Sequence, residues 1–304
     1  MICQLSLIAK AQYTDEEGRL ADGRNRSVLT FNGTLPGPTL YVCEGDTVYV
    51  TLINEIEDGP ITNSDGSPNS TTLHFHGIRE VGKIDDFDDD KVFGPWSDGV
   101  PYVTQCPVGN KKGSNTFLYK FEATKENFNA PPGTYWYHSH IGAQRTNGLE
   151  GALVIRPSSY SQNDIDHDFT VVLQEWYESP TNQAPYRILV NGKSKYSSKV
   201  IDSRNYDEIN KYLRGVTHTF NKINNPSKRS TQTTNYEVFQ ANDNEKHRFR
   251  ILGLIGQNLP IRFSIVNQGN TLPFTAIAAD SLDMRPIENL QYLWVAAGER
   301  FDIE

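Results

Sequence analysis

The sequence predicts an all-β protein made of two β-sandwich domains. The chain has 304 residues, which is long enough for two domains of ordinary size. It contains 15 Tyr, 14 Phe, 23 Gly and 16 Pro, a mixture typical of many short strands punctuated by turns. Runs of alternating apolar residues, bounded by Gly, Pro and Asn, recur along the chain and indicate the same class.

The first half of the chain carries a series of short strand signals. The clearest has Val48, Val50 and Leu52 on one face. Turn residues separate the signals, as at Asn32-Gly33 and in the polar stretch 57–71. Strands are predicted at residues 2–7, 27–31, 39–43, 46–53, 74–76, 117–122, 134–140 and 151–155. We expect residues 1–157 to form the first domain, because Arg156-Pro157 closes the last of these strands.

The second half repeats the pattern with a long interruption. Residues 191–235 are polar and predict loops, with one short helix near residues 206–213. Strands are predicted at residues 169–173, 186–190, 236–240, 247–252, 259–265, 274–278 and 291–295. The final run, from Arg300, also indicates a strand. Residues 158–304 are therefore the predicted second domain, and we expect it to lack its last strand or strands.

Charge and hydropathy exclude several functions. The net charge is −8, which argues against a nucleic-acid or anionic-membrane partner. No apolar run approaches the ~18 residues of a membrane span. The first eleven residues lack the basic start and long apolar run of a signal peptide, and predict a strand. The acidic stretch 84–90 is expected to be a solvated loop, because like charges repel and stay hydrated.

Two His-x-His pairs, at residues 74–76 and 138–140, hold four of the seven histidines. In a strand, residues i and i+2 point to the same face, so each pair projects two imidazoles together. Phe75 then turns towards a core, and Ser139 turns away from its histidines. One such pair is more often a surface pair, but two favour a metal site for Cu, Zn, Fe or Ni. The predicted metal ligands are His74, His76, His138 and His140.

Four stretches, in the same order along the chain, resemble the multicopper oxidase family. The laccase branch, and within it the animal laccases, gives the best resemblance. His74-Phe75-His76-Gly77 looks like the family's His-Trp-His-Gly motif, and the second His-x-His pair has the family's aromatic lead-in. The four stretches are His74-Phe75-His76-Gly77, residues 96–107, residues 136–140 and Gly298-Glu299-Arg300-Phe301-Asp302.

The resemblance implies cupredoxin-like Greek-key sandwiches and a three-copper cluster that reduces O2 to water. In the family, eight histidines hold the cluster, four from the first domain and four from the last. By position, His74 resembles the ligand of the type 2 copper. The resemblance assigns His76, His138 and His140 to the type 3 pair.

The resemblance also gives Asp98 a catalytic role. The family's equivalent acid lies beside the copper cluster and helps to deliver protons to reduced oxygen. Taken without the resemblance, Asp98 before Gly99 is a common turn-forming residue. We therefore expect Asp98 near the histidines but not as a ligand.

The cysteines depart from the family pattern. A blue type 1 copper needs a His₂Cys set, and none of Cys3, Cys43 and Cys106 is flanked by histidine. In relatives the equivalent of Cys106 is tied by a disulfide to a distant part of the chain, but residues 107–304 contain no Cys. The sequence therefore resembles the first domain and most of the second of a longer oxidase, without its last cupredoxin domain and type 1 copper.

Two classes of function remain open. The first is a laccase-like oxidase that uses O2 and a small phenolic or diphenolic reductant, with a ferroxidase acting on Fe²⁺ as a variant. The second is a non-enzymatic, secreted copper-binding cupredoxin protein. The family implies secretion, which three glycosylation acceptors at Asn25, Asn32 and Asn69 support. The three other histidines, His167, His218 and His247, are expected to be surface or hydrogen-bonding residues.

Overall fold

The computed structural model describes the chain in segments. They are residues 1–13, 21, 27–57, 69–79, 98–125, 130–161, 167–177, 187–194, 237–239, 245–256, 260–267 and 269–304. Within them every regular element is a strand, as the all-β prediction requires, and none is a helix that could span a membrane. The short helix expected near residues 206–213, the acidic stretch 84–90 and His218 lie outside the described residues.

The described residues form two compact units. Unit 1 comprises Met1–Tyr13, Ser27–Tyr160 and Asp280–Asp283. Unit 2 comprises Thr14–Arg26, Ser161–Ala279 and Met284–Glu304.

Unit 1 is a sandwich of two four-stranded sheets, ordered β2-β1-β4-β6 and β3-β8-β7-β5. The alternating burial of β4 matches the expected face of Val48, Val50 and Leu52, all of which are fully buried. Its strands are β1 (Ile2–Tyr13), β2 (Ser27–Phe31), β3 (Gly37–Cys43), β4 (Thr47–Asn54), β5 (His74–His76), β6 (Thr116–Glu122), β7 (Gly133–His138) and β8 (Glu150–Arg156).

The two sheets of unit 1 enclose one apolar core. β1 runs parallel to β4, and β3 runs parallel to β8, while the other pairs are antiparallel. Phe31, Phe75, Tyr119 and Tyr137 are among the largest side chains buried between the sheets. The side chain of Phe75 therefore anchors the short strand β5 to this core.

Unit 2 is built on a six-stranded sheet ordered β10-β9-β11-β18-β15-β16, with the small pairs β12-β17 and β13-β14. Its core draws on β9, β11, β15, β17 and β18. The nine-residue strand β16 was not predicted, since most of its residues are exposed and lack apolar alternation. The strands are β9 (Asp168–Trp176), β10 (Arg187–Val190), β11 (Arg248–Leu254), β12 (Ile261–Phe263), β13 (Ile265–Asn267), β14 (Asn270–Leu272), β15 (Phe274–Ala279), β16 (Leu282–Leu290), β17 (Leu293–Val295) and β18 (Arg300–Ile303).

Two of the three glycosylation acceptors fall on described residues. Asn69 is only 3% exposed, so its side chain is not open to a glycan in the folded protein. Asn32 is exposed, but its amide nitrogen donates to the Ser6 carbonyl at 3.0 Å. The acceptor sequences therefore lend secretion less support than the sequence suggested.

Candidate metal centre

The antiparallel pairing of β5 and β7 brings His74 and His138 together. His74 lies directly opposite His138 in this pairing, and His76 lies opposite Trp136. Residues directly opposite in antiparallel strands share a face, so these four side chains project together. Phe75 and Tyr137, which are opposite each other on the other face, are 1% and 0% exposed. Alternation along β5 thus separates a core face from a histidine face, as predicted.

Three imidazoles converge closely enough to share an ion. One ring nitrogen from each of His74, His76 and His138 lies within 4.8 Å of the other two. The ring centroid of His74 is 5.8 Å from that of His76 and 5.2 Å from that of His138. The three histidines come from two strands of one sheet, whose hydrogen-bonded register fixes their directions.

His140 joins the cluster by a different route from the one expected. β7 ends at His138, not at residue 140, because the chain leaves the strand ladder at Ser139. The Ser139 hydroxyl donates to Gln144 Oε1 at 2.6 Å, and its amide donates to the Leu149 carbonyl at 2.9 Å. His140 therefore lies beyond the end of the strand, where its amide donates to the Thr72 hydroxyl at 3.3 Å.

The ring of His140 nevertheless lies beside the cluster. Its centroid is 5.7 Å from that of His74 and 5.7 Å from that of His138, and it stacks on His138 at an interplanar angle of 28°. Its nitrogens are outside the set of three that lie within 4.8 Å. The structure thus brings all four predicted residues together, with His140 at the margin.

Backbone carbonyls orient two of the rings. His74 Nδ1 lies 2.6 Å from the Asp98 carbonyl, and His138 Nδ1 lies 2.8 Å from the Ser139 carbonyl. A carbonyl can only accept, so Nδ1 carries the proton and donates in both rings. Nε2 of each ring is then the nitrogen with a lone pair for a metal.

The pKa values of His74 and His138 are shifted in opposite directions. Burial pushes the pKa of His74 down, but the hydrogen bonds and the charge of Asp98 outweigh it, and the net pKa is raised. Burial lowers the pKa of His138 well below its ordinary value, with help from His74, Arg145 and His76 and against its bond to Ser139. His138 is therefore neutral at neutral pH, the form that ligates metals.

A close backbone approach holds Asp98 beside His74. The Asp98 Oδ1 atom is 3.3 Å from His74 Nδ1, and the carboxylate is 34% exposed. Gly99 follows with φ of +85°, and a Cβ there would lie 2.2 Å from the Leu73 carbonyl oxygen. Only glycine permits this approach. Asp98 touches one imidazole and still reaches solvent.

Several residues of the centre escaped the sequence analysis. Trp136 stacks on His76 with ring centroids 4.6 Å apart and on His138 at 4.3 Å, so it forms one wall of the cluster. The Arg145 guanidinium lies 5.7 Å from the centre of the Trp136 ring. Glu150, only 2% exposed, lies opposite His138 in the β7–β8 pairing. The register of β7 and β8 was the missing information for Glu150, whereas period-2 alternation from His138 is the signal that could have placed Trp136 on the histidine face.

The donor set fits copper. Three imidazoles on a rigid sheet, two of them oriented by hydrogen bonds from Nδ1 to backbone carbonyls, form the kind of site that suits Cu, Zn, Fe or Ni. Among the described residues, no cysteine belongs to this group of potential ligands, although all three cysteines are free thiols. The site is therefore an all-histidine centre.

Comparison with known proteins defines the family. Residues 12–160 match the family model described as multicopper oxidase. The chain is 29% identical over 294 residues to Laccase-24 of Oryza sativa subsp. japonica, a match covering 94% of this chain and 42% of the relative. It is 34% identical over 186 residues to Laccase-2 of Botryotinia fuckeliana, covering 58% and 27% respectively. An L-ascorbate oxidase of Nicotiana tabacum is 30% identical over 192 residues, covering 58% and 28%.

Solved structures give the same fold. The laccase from Botrytis aclada superposes with a TM-score of 0.64 at 25% identity, covering 99% of this chain and 46% of that one. Fet3p, described as a multicopper oxidase that functions in iron import, gives a TM-score of 0.64 at 20% identity, covering 100% and 45%. The cupredoxin fold predicted from the resemblance is thereby confirmed.

The chain belongs to the multicopper oxidase family, whose members are copper-dependent oxidoreductases. Laccases of a plant and of a fungus are among its relatives, and the narrower assignment to the animal-type laccases stays a prediction. The chain spans less than half the length of the curated relatives it matches.

Proposed function

We propose that this chain is the N-terminal part of a laccase-like oxidase and supplies half of a trinuclear copper cluster. His74 is the ligand of the type 2 copper, and His76, His138 and His140 are ligands of the type 3 pair. The observation that carries the proposal is the approach of one nitrogen from each of three histidines to within 4.8 Å of the others. The remaining ligands come from a further cupredoxin domain, as in the family.

The copper supplies one-electron redox chemistry, by which electrons from a reductant convert O2 to water. The protein orients and isolates that chemistry. His138 stays neutral because it is 6% exposed, and Trp136 stacks on two of the imidazoles and keeps water from that side. The Asp98 carbonyl keeps the His74 proton on Nδ1, so the lone pair of Nε2 would be available to a bound ion.

Asp98 serves as the acid that carries protons from solvent towards the centre. Its carboxylate is one-third exposed, and its Oδ1 lies 3.3 Å from His74 Nδ1, so it reaches both sides. Protons are consumed when O2 becomes water, so a titrating group that bridges solvent and ligand is suited to this role. In the complete enzyme, Asp98→Asn should slow O2 reduction more than it reduces copper loading.

Phenols and diphenols are the proposed reductants, oxidised one electron at a time. Support comes from the laccases among the matched relatives. The structural likeness to Fet3p, at 20% identity, concerns the fold alone, so ferroxidase activity remains the alternative that the sequence left open. We propose secretion on the same ground of family likeness, and a division into cupredoxin domains at residues 1–157 and 158–304.

A copper titration of the purified chain tests the site. We expect Cu²⁺ to bind with an electron paramagnetic resonance spectrum showing nitrogen couplings from imidazole. His138→Gln should weaken the binding by at least about ten-fold, because even loss of a group behind a ligand has that effect. Tyr137→Phe, on the opposite face of the same strand, is the matched control and should leave the affinity unchanged. Equal affinities for wild type and His138→Gln would refute the assignment.

The second candidate, a copper-binding protein without catalysis, has one observation in its favour. The sequence holds no cysteine flanked by histidine and no third His-x-His pair, so this chain by itself cannot assemble a type 1 site. The two candidates differ in turnover: only the oxidase, with its further domain, consumes O2 when a phenol is added.

A further inference from the structure

A second group of potential metal ligands lies in unit 2. His167 and His247 immediately precede the adjacent parallel strands β9 and β11. Arg248 is in register with Asp168, and the Arg248 amide donates to the His167 carbonyl at 2.7 Å. The two histidines are therefore neighbours across one strand pair, although they are 80 positions apart in the sequence.

Their side chains point to the same face. Residues two apart in a strand share a face, so His167 precedes Phe169 and His247 precedes Phe249 on the side of the unit 2 core. The ring distances are consistent with this shared face, since the centroid of Phe169 lies 5.6 Å from that of His247 and 5.3 Å from that of Phe249. The two imidazoles thus extend a row of core aromatics towards its solvent end.

Glu245 completes a three-residue group. It lies two residues before His247, and its Oε2 atom is 3.6 Å from His167 Nδ1. The His167 and His247 ring centroids are 5.0 Å apart. One ligand atom from each of the three residues lies within 4.8 Å of the other two. This is the spacing found in the His74 group, and the two groups share no residue.

The Nδ1 atom of His167 is an independent indication of a ligand. It is buried and makes no hydrogen bond in the described part of the chain. At 3.6 Å, Glu245 Oε2 is beyond hydrogen-bonding distance. Buried nitrogens of this kind are normally satisfied, so such an exception calls for a partner. An ion between His167 and Glu245 would satisfy this nitrogen.

We propose that His167, Glu245 and His247 bind a divalent transition-metal ion, with Zn²⁺ as the expected occupant. Two imidazoles and one carboxylate form a three-ligand set that zinc uses, with water in the fourth position. The partial exposure of Glu245, 42%, leaves room for that water. The sequence predicts surface or hydrogen-bonding roles for His167 and His247, because the two come together only through the parallel pairing of β9 and β11.

The bound ion would act as a clamp on unit 2. It would join the segments before β9 and β11, which are adjacent strands of the six-stranded sheet. An ion that binds only the folded state stabilises it in proportion to the logarithm of its concentration. Zinc should therefore raise the melting temperature of the chain in a concentration-dependent way.

The experiment must separate this site from the His74 group. We would introduce His76→Ala and His138→Ala together into the 304-residue chain and titrate it with Zn²⁺ by calorimetry at pH 7.5. One zinc per chain should bind to this background. Glu245→Gln should raise the dissociation constant at least about ten-fold, because it removes a ligand. Glu288→Gln, an exposed carboxylate on β16, is the matched control and should change nothing.

A second readout reports the ligands themselves. Co²⁺ in place of Zn²⁺ should give visible absorption bands of a four- or five-coordinate site, and His167→Gln should abolish them. Glu245 is exposed, so Glu245→Gln is expected to fold, and an unchanged circular dichroism spectrum checks this. No saturable zinc binding to the background chain, or equal affinity with and without Glu245, would overturn the proposal.

Discussion

The contact between Asp98 and His74 is the most consequential one at the scale of single residues. The carbonyl at 2.6 Å and the carboxylate at 3.3 Å both face Nδ1, so one residue sets the tautomer and the pKa of a proposed ligand. His138, by contrast, is governed by burial, and its pKa moves the other way. Two imidazoles that lie opposite each other thus have different proton affinities at neutral pH.

Asp98→Asn should lower the pKa of His74 in the metal-free chain. The substitution removes the carboxylate charge and its contact with Nδ1, and burial then dominates. An NMR titration of the histidine ring protons measures this directly. Asp283→Asn, an exposed acid on β16, serves as the control and should leave the titration as it is. A His74 pKa that is the same in Asp98→Asn as in wild type would show that the carboxylate does not set it.

The metal-free chain should lose stability as the pH falls below about 6.5, through His138. Its folded pKa is depressed, so the unfolded state takes up a proton that the folded state refuses. The contribution of His138 to the free energy of unfolding is fully present above the pKa of the unfolded state. It is lost as the pH falls towards the pKa of the folded state, by at most about 1.4 kcal/mol per pH unit. His74 opposes it: its raised pKa adds stability below about 6.5 that is lost as the pH rises through the folded value.

Urea denaturation at several pH values, on wild type and His138→Gln, separates these contributions. The variant should show a flatter decline in the free energy of unfolding between pH 6.5 and 5, because glutamine does not titrate. A decline as steep in His138→Gln as in wild type would assign the acid sensitivity to other groups.

At the scale of elements, glycines decide where loops can touch strands. Gly99 brings its loop against the backbone of Leu73 and His74, with φ of +85°.

In unit 2, a buried arginine ties three strands: Arg250 donates to both Asp168 oxygens at 2.7 Å and to Asp302 Oδ2 at 2.9 Å. Gly99 thus positions the loop that carries Asp98, whereas Arg250 holds β9, β11 and β18 together.

Gly99→Ala should reduce the free energy of unfolding by about 1–3 kcal/mol, the range for an added group that clashes. The Cβ would lie 2.2 Å from the Leu73 carbonyl oxygen, so the loop must retreat and take Asp98 away from His74. Gly113→Ala is the matched control. It has a similar φ of +94° but nothing within 4 Å of the added Cβ, so it isolates the clash from the backbone strain.

Chemical denaturation of both glycine variants gives the comparison, and the NMR titration of His74 follows the loop. We expect Gly99→Ala to lower the His74 pKa as Asp98→Asn does, and Gly113→Ala to leave it alone. Equal destabilisation by the two substitutions would mean that the close approach to Leu73 has no energetic weight.

Arg250→Ala should destabilise the chain by about 3–5 kcal/mol, because two carboxylates would be left buried without their partner. Asp168 and Asp302 are 3% and 5% exposed, so water cannot readily replace the guanidinium. Thermal or urea unfolding measures the loss. Arg285→Ala, on exposed β16, should change stability little, and a similar loss in both variants would contradict a special role for Arg250.

At the scale of the whole molecule, the 304-residue chain should bind copper, but the copper-loaded chain should not oxidise a phenol. Electron entry in the family requires a His₂Cys site, and no cysteine of this sequence has histidine neighbours. We expect no intense blue thiolate–copper band and no sustained O2 uptake with a phenol. Uptake that His138→Ala abolishes would contradict this and would show that copies of the chain complete the site together.

Much of the fold followed from local pattern. The alternation of Val48, Val50 and Leu52 predicted β4 and its buried face, because period-2 burial is a property of the strand itself. β16 was missed, since its exposed residues carry no such pattern. The end of β7 was placed two residues late, because Ser139 leaves the ladder to hydrogen-bond with Gln144, a contact outside the strand.

The sequence by itself determined that His74 and His76 share a face with Phe75 behind them, and that four histidines stand in the order typical of a copper oxidase. Only the tertiary structure decided that His74 lies opposite His138, that Gly99 delivers Asp98 to Nδ1, and that His167 meets His247. The reason is physical: side-chain alternation depends on the geometry of one strand, whereas register and parallel pairing depend on how distant segments pack.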